Sequence, residues 1–147
     1  MPRQKPTTGT FFWVPLEDGT VALGQIVEIR PEVLNSITCA FYELRAPEPR
    51  DFDLGSLQPI SVQFVTPDLF KSGAWQAQEA SPGNPAQVPL PYRETEPDGW
   101  VGAKVIGSGI VAKFLSAFYG LRDWSEMHDP NYYQYLLLPG VVRAAGV

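Results

Sequence analysis

The side chains singled out as candidates for nucleophilic catalysis are the thiol of Cys39, the hydroxyl of Ser108 and the imidazole of His128. The chain has one cysteine and one histidine, so any Cys-His or Ser-His pair must use His128. Cys39 lies in an apolar stretch, where a cysteine packs as a small apolar group. His128 precedes Asp129-Pro130, which is typical of a helix start. We therefore expect no enzyme, and a small hydrolase using Cys39 or Ser108 with His128 is the least favoured alternative.

The sequence also lacks the patterns of a metal or cofactor site. One histidine and one cysteine cannot supply the nitrogen and sulfur ligands of a zinc site, and the acidic residues lack the spacing of a calcium loop. Gly107-Ser108-Gly109 lacks the third glycine and the lysine of a phosphate-binding loop, so we interpret it as a helix-capping turn. We expect no catalytic residue, bound metal or cofactor.

Acidic and aromatic residues suggest a different chemistry, the recognition of another protein. Acids gather at 94–98 and at 123–129, and Trp124 lies within the second group. Tryptophan and tyrosine are enriched at interface hot spots, although Trp124 equally suits an anchor between helix and sheet, the interpretation we favour. The predicted partner-binding residues are Glu94, Glu96, Asp98, Asp123, Trp124, Glu126, Tyr132 and Tyr133.

The elements that must position these residues begin with a series of strands. Apolar alternation and turn residues predict strands over 10–14, 21–29, 37–44 and 60–64, with short ones near Trp75 and over 100–106. The Glu17-Asp18-Gly19 turn predicts a hairpin of the first two strands. Gly24 indicates a bulge or a close approach by a neighbour, and apolar residues on both sides of 37–44 indicate a central strand.

Three helical segments follow from capping signals. Thr66 is predicted to cap a single turn over 67–71, and Ser108 to cap a helix that runs to Tyr119 and stops at Gly120. A last helix is predicted from Pro130, capped by Asp129, up to Pro139. Between the predicted short strand near Trp75 and the predicted strand over 100–106, residues 79–99 contain five prolines and are predicted to be a long loop.

Composition bounds the whole molecule. The chain has 147 residues, 44% of them apolar, and we expect a single domain with a flexible segment at 1–9. There is no apolar run of membrane-spanning length and no secretory signal pattern, so we expect a cytoplasmic protein without membrane contact. The net charge of −5 argues against direct nucleic-acid binding and favours a basic partner. The predicted fold class is α+β, with a curved, mostly antiparallel sheet or partial barrel of five to six strands and two C-terminal helices.

Several stretches resemble the immunity protein 26 family. They are Phe12-Trp13-Val14-Pro15-Leu16-Glu17-Asp18-Gly19 with Gly24-Gln25-Ile26, Val105-Ile106-Gly107-Ser108, Phe114-Leu115-Ser116-Ala117-Phe118-Tyr119-Gly120-Leu121, Asp123-Trp124, Asp129-Pro130-Asn131-Tyr132-Tyr133 and Leu136-Leu137-Leu138. Order and approximate spacing agree over about residues 10 to 140, although the matching residues are those of packing and turns. The chain departs from the family pattern at Arg122-Asp123 and in the long proline-rich loop.

The resemblance implies an immunity protein from a bacterial polymorphic toxin system. Such a protein binds a cognate toxin domain and neutralises it by stoichiometric occlusion, and a basic nuclease is one candidate toxin. The alternative is a regulatory or ligand-binding module unrelated to toxins. The sequence leaves the toxin, the binding surface and the oligomeric state open.

Overall fold

Six strands form one open, mixed sheet in the protein, whose computed structural model describes residues 4–30, 36–78 and 104–141. The strands are β1 (Phe11–Pro15), β2 (Val21–Arg30), β3 (Ser36–Ala46), β4 (Pro59–Val65), β5 (Gln76–Ala77) and β6 (Val105–Ile106). Their order across the sheet is β5-β1-β2-β3-β4-β6. With a few short helices, this confirms the predicted α+β class, as an open sheet of six strands.

Strand pairing is antiparallel except at one edge. β1 and β2 form the predicted hairpin, with Trp13 opposite Leu23, and β3 lies between β2 and β4 as the predicted central strand. β6 pairs in parallel with β4, where Val65 faces Ile106. Both edge strands of the sheet, β5 and β6, have only two residues.

The sheet has a packed cluster on each face because neighbouring strand residues point to opposite sides. Phe12 and Phe41 enter the larger cluster, together with residues of the helices, whereas Trp13 and Tyr42 enter the smaller one. The smaller cluster contains Phe11, Trp13, Leu23, Val27, Ala40, Tyr42 and Val62. Covering of both faces explains why β3 is apolar on both sides.

Gly24 allows a close approach, as its position in the strand predicted. Phe12 lies opposite Gly24, and a Cβ atom at Gly24 would be 2.5 Å from Cζ of the Phe12 ring. The same ring stacks on Trp75, with centroids 5.2 Å apart and an interplanar angle of 4°. The Phe12 ring therefore occupies the space that a side chain at position 24 would need.

Three helices accompany the sheet in the described ranges: α1 (Asp68–Ser72), α2 (Ser108–Phe118) and α3 (Tyr132–Leu136). A 3₁₀ turn (Leu54–Ser56) interrupts the segment after β3, which was predicted to be loop. α2 packs its buried side, including Phe114, Leu115 and Phe118, into the larger cluster. The predicted amphipathic pattern of α2 is thus confirmed.

The predicted caps need correction. Pro67 and Gly107 occupy the N-cap positions of α1 and α2, and neither helix has a side-chain cap. Thr66 and Ser108 instead donate their hydroxyl hydrogen bonds to the Asp68 carboxylate, at 2.6 and 2.7 Å. The cap predictions considered each helix by itself. In the structure, the carboxylate of Asp68 at the start of α1 accepts the hydroxyl hydrogen bond of Ser108 at the start of α2.

The last helix is shorter than predicted. α3 begins at Tyr132, with Asn131 rather than Asp129 at its N-cap position, and it ends at Leu136. Asp129 still restrains the approach, since its carboxylate accepts a hydrogen bond from the Asn131 backbone N–H at 2.9 Å. α3 ends where Leu137 adopts an extended backbone, and the Leu136 carbonyl accepts a hydrogen bond from β4, as described below.

Residues outside the described ranges include the predicted loop at 79–99, most of the predicted strand over 100–106, and residues 1–3 of the predicted flexible segment. Gln4 is tied down by four hydrogen bonds, three of which reach the backbone of Phe70, Lys71 and Trp75 and one the N–H of Ala77. Within the described part of the chain, no helix is long and apolar enough to cross a membrane.

Candidate partner-binding surface

The segment from Leu121 to Leu137, named here the α2–α3 segment, carries five of the eight predicted partner-binding residues. Its first end is fixed where Gly120 adopts a left-handed backbone with φ 79° and the Leu121 N–H bonds to the Ser116 carbonyl at 2.9 Å. Its far end is fixed by the buried Ser61 hydroxyl of β4, which donates to the Leu136 carbonyl at 2.6 Å. The segment is therefore held at both ends.

Arg122 joins this segment to the turn between β1 and β2. Its guanidinium donates two hydrogen bonds to the Glu126 carboxylate, at 2.7 and 2.6 Å, and a third to Glu17. These bonds, with Glu126 the stronger partner, raise the pKa of Arg122 and lower the pKa of Glu126. A bidentate arginine–carboxylate pair of this kind fixes the relative orientation of the two side chains as well as their distance.

Tyr133 completes the same network from inside the protein. The side chain is fully buried, and its hydroxyl donates to Glu126 at 2.7 Å. Burial raises the pKa of Tyr133, and the bond to the Glu126 carboxylate adds to the effect. Tyr133 therefore supports the surface from below and has no exposed area with which to touch a partner.

Trp124 is packed as an anchor, the favoured of its two sequence interpretations. The ring is partly buried, with centroid distances of 5.6 Å to Tyr133, 5.9 Å to Phe114 and 6.4 Å to Phe118. Aromatic contacts at these distances and tilts stabilise a cluster beyond the area they bury. The exposed edge of Trp124 thus sits on a rigid base.

Asp123 and Asp129 lie exposed on the segment and hold its turns. The Asp123 carboxylate accepts hydrogen bonds from the N–H and the hydroxyl of Ser125, both at 2.9 Å. The backbone bond is the larger cause of a lowered pKa at Asp123. Both aspartates are therefore held in place by turn geometry, with solvent access that leaves them able to meet a cationic partner.

Tyr135 is an exposed aromatic that the predicted set does not include. Its exposed fraction is 68%, the larger of the two exposed large apolar side chains in the described residues, the other being Ile29 at 40%. Tyr133 and Leu136 are buried on the inner side of α3, which places Tyr135 on the outer side. The signal available in sequence was the i, i+3 spacing of Tyr133 and Leu136, but it required knowing which side of α3 faces the sheet.

The five predicted residues that the structure describes divide into three groups. Asp123 is exposed, Glu126 and Trp124 offer part of their surface, and Tyr132 is partly buried beside Tyr133. Tyr133 is a support. Glu94, Glu96 and Asp98 lie outside the described residues, so their relation to the α2–α3 segment stays a prediction.

The three reactive groups lie in separate settings. Cys39 is fully buried in β3, and burial raises the pKa of its thiol, so the nucleophilic thiolate is disfavoured. The Ser108 hydroxyl donates to Asp68, and His128 is exposed between α2 and α3. Within the described ranges, no three His, Cys, Asp or Glu side chains are grouped as metal ligands would be.

Comparisons with protein-family models, with curated proteins and with solved structures found no match to this chain.

Proposed function

We propose that this protein is a cytoplasmic immunity protein that binds a cognate bacterial toxin domain and neutralises it by stoichiometric occlusion. The observation that carries the proposal is the α2–α3 segment, where exposed Tyr135, Asp123 and Asp129 stand on a base fixed by the Arg122–Glu126–Tyr133 network. The motif resemblance to the immunity protein 26 family supports the same function.

A preordered surface of this kind suits tight binding. Binding costs the conformational freedom of every side chain that becomes ordered, and a surface already held by hydrogen bonds and ring contacts has less of it to lose. Tyrosine presents a large amphipathic ring with few rotatable bonds, which is why it is enriched at hot spots. Tyr135 is therefore the described residue we expect to contribute most to toxin affinity.

Charge favours a basic toxin. The chain carries a net charge of −5, and the α2–α3 segment has three acids, Asp123, Glu126 and Asp129, against one cation, Arg122. Opposite charge accelerates the encounter of two proteins, and this acceleration decreases as salt is added. We expect the association rate with the toxin to fall with ionic strength more steeply than the dissociation rate changes.

The test is co-expression with the toxin encoded beside this protein, followed by calorimetry of the purified pair. We expect full protection of cells, one-to-one binding, and a Kd raised about tenfold or more by Tyr135→Ala. Ile29→Ala is the matched control, because Ile29 lies outside this segment and is the other exposed large apolar side chain in the part of the chain that the structure describes. Killing that continues in the presence of folded protein would overturn the proposal, and equal effects of the two variants would overturn the assignment of the surface.

Non-catalytic action is part of the proposal. The buried Cys39 thiol and the engagement of Ser108 with Asp68 both disfavour a hydrolase. His128→Ala is expected to leave protection unchanged, since the imidazole is exposed and serves no step in occlusion. Loss of protection by this variant at unchanged toxin affinity would favour the hydrolase alternative.

A further inference from the structure

A groove lies beside α1, where the N-terminal segment passes the facing ends of β2 and β3. It has a volume of about 440 Å³. Its described lining includes Lys5, Ile29, Ser36, Ile37, Pro67 and Lys71. This volume is within the range of about 300–1,000 Å³ that is common for small-molecule sites.

The groove has an exposed apolar wall. Ile29 is 40% exposed although it belongs to a strand, and it lines the groove together with Pro67 and the buried Ile37. Contact with an apolar ligand would remove this surface from water, which is favourable in proportion to the area covered. A chain of several methylene groups is the simplest ligand part that fits such a wall.

Two cations border the same groove. Within the described residues, neither the Lys5 nor the Lys71 ammonium has an ion-pair partner. Asp68 lies one turn before Lys71, but its carboxylate accepts hydrogen bonds from Thr66 and Ser108. The local charge therefore favours an anionic ligand in a protein whose net charge is negative.

Ser36 supplies an independent observation. Its side chain is fully buried, it belongs to the groove lining, and its Oγ has no hydrogen-bond partner among the described residues. A buried hydroxyl without a partner is destabilising, because it has lost its water and gained nothing in return. A polar ligand atom that reached the Ser36 side of the groove would supply the missing bond.

We propose that this groove binds a small amphipathic anion, with its head group between Lys5 and Lys71 and its apolar part against Ile29, Ile37 and Pro67. Carboxylate and phosphate head groups share the chemistry required. The site is separate from the α2–α3 segment, and its occupation does not depend on the toxin-binding proposal.

The first experiment titrates the full chain with decanoate, decyl phosphate, decanol and decyltrimethylammonium, followed by calorimetry and NMR chemical shifts. We expect saturable binding of the anions, shifts centred on residues 5, 29, 36–37 and 67–71, and the better head group to identify the natural class. The double variant Lys5→Gln/Lys71→Gln should raise the Kd for the preferred anion about tenfold and leave that for decanol unchanged. Lys113→Gln, at an exposed lysine of α2, is the matched control and should change neither Kd.

A second variant separates a ligand contact from a structural role. Ser36→Ala removes a hydroxyl that has no hydrogen-bond partner among the described residues, so the free protein should keep or gain thermal stability, while the Kd for the anion rises about threefold to fivefold. Four outcomes would each overturn the proposal. They are a Kd that the lysine double variant leaves unchanged, tighter binding of the cationic analogue, binding that does not saturate, and chemical-shift changes confined to the α2–α3 segment.

Discussion

At the scale of single residues, the fold depends on a large side chain that fills the space left by a glycine on the neighbouring strand. Phe12 occupies the space above Gly24, and its ring contacts Phe41, Phe70 and Trp75 on the same face. A glycine inside a strand ordinarily weakens it, but here the ring of the opposite residue covers the backbone. The interior is packed densely enough that one added carbon must displace this ring.

The Gly24→Ala variant is predicted to lose about 1–3 kcal/mol of unfolding free energy, since the new Cβ would sit 2.5 Å from Cζ of Phe12. Gly109→Ala, in the first turn of α2, serves as the control, because a Cβ atom there would meet nothing within 4 Å beyond its neighbours and the backbone of its own helix. It is predicted to gain up to about 1 kcal/mol from helix propensity. Urea unfolding of both variants measures the contrast, and equal stabilities would show that the Phe12 ring moves aside without cost.

At the scale of elements, the starts of α1 and α2 are joined through one carboxylate. Asp68 accepts hydroxyl hydrogen bonds from Thr66 and Ser108, and the Ser108 N–H donates to the Thr66 hydroxyl at 2.9 Å. The bond from Thr66 is the largest cause of a lowered pKa at Asp68. The network fixes how α2 begins as the chain leaves β6, and so how its apolar side meets the sheet.

Ser108→Ala is predicted to cost about 1–3 kcal/mol of unfolding free energy, because Ser108 is 1% exposed and its partner is charged. Ser125→Ala removes the same kind of bond, a serine hydroxyl to an aspartate at 2.9 Å, from an exposed turn. It is predicted to change stability by less than about 0.5 kcal/mol. Thermal unfolding compares the pair, and a neutral Ser108→Ala would mean that water replaces the buried hydroxyl.

At the scale of the whole molecule, the carboxylates are arranged so that the folded state favours their charged forms. The pKa of Asp18 is lowered to about 2, chiefly by the Thr20 hydroxyl, and Arg45 contributes less. The pKa values of Asp68, Asp123 and Glu126 are lowered as well. These groups lie at three places: the turn at Asp18, the start of α1, and the α2–α3 segment, where Asp123 and Glu126 repel each other. Additive effects on stability are therefore expected between the three places but not between Asp123 and Glu126.

Acid is therefore predicted to destabilise the protein. A group whose pKa is lower in the folded state stabilises it fully above its unfolded pKa, about 4 for these side chains, and loses this contribution as pH falls through the folded pKa. The free energy of unfolding should be nearly constant from pH 7 to about 5 and decrease down to about pH 2. Urea unfolding across this range at low salt measures it, and Asp18→Asn should remove part of the slope. A flat profile would contradict the assigned hydrogen bonds.

Local patterns in the sequence were enough to predict the α+β class, the β1–β2 hairpin, the central β3 and the amphipathic α2. Alternation along a strand and the spacing along α2 are set by backbone geometry, which the residues of one element already contain. The exact helix starts were not predictable in this way. Thr66 and Ser108 have the chemistry of caps, yet a carboxylate from another element competes for their hydroxyls.

In the candidate site, too, some features follow from the sequence and others only from the tertiary structure. The sequence by itself determined that Asp123, Trp124, Glu126, Tyr132 and Tyr133 are neighbours, that the chain is acidic, and that one cysteine and one histidine provide few reactive groups. Only the tertiary structure decided that Tyr133 is buried, that Tyr135 is exposed, and that Lys5, Ser36 and Lys71 border one groove. The physical reason is that exposure and long-range proximity arise when separate elements exclude water from each other, and no single stretch of chain specifies which of its sides they will cover.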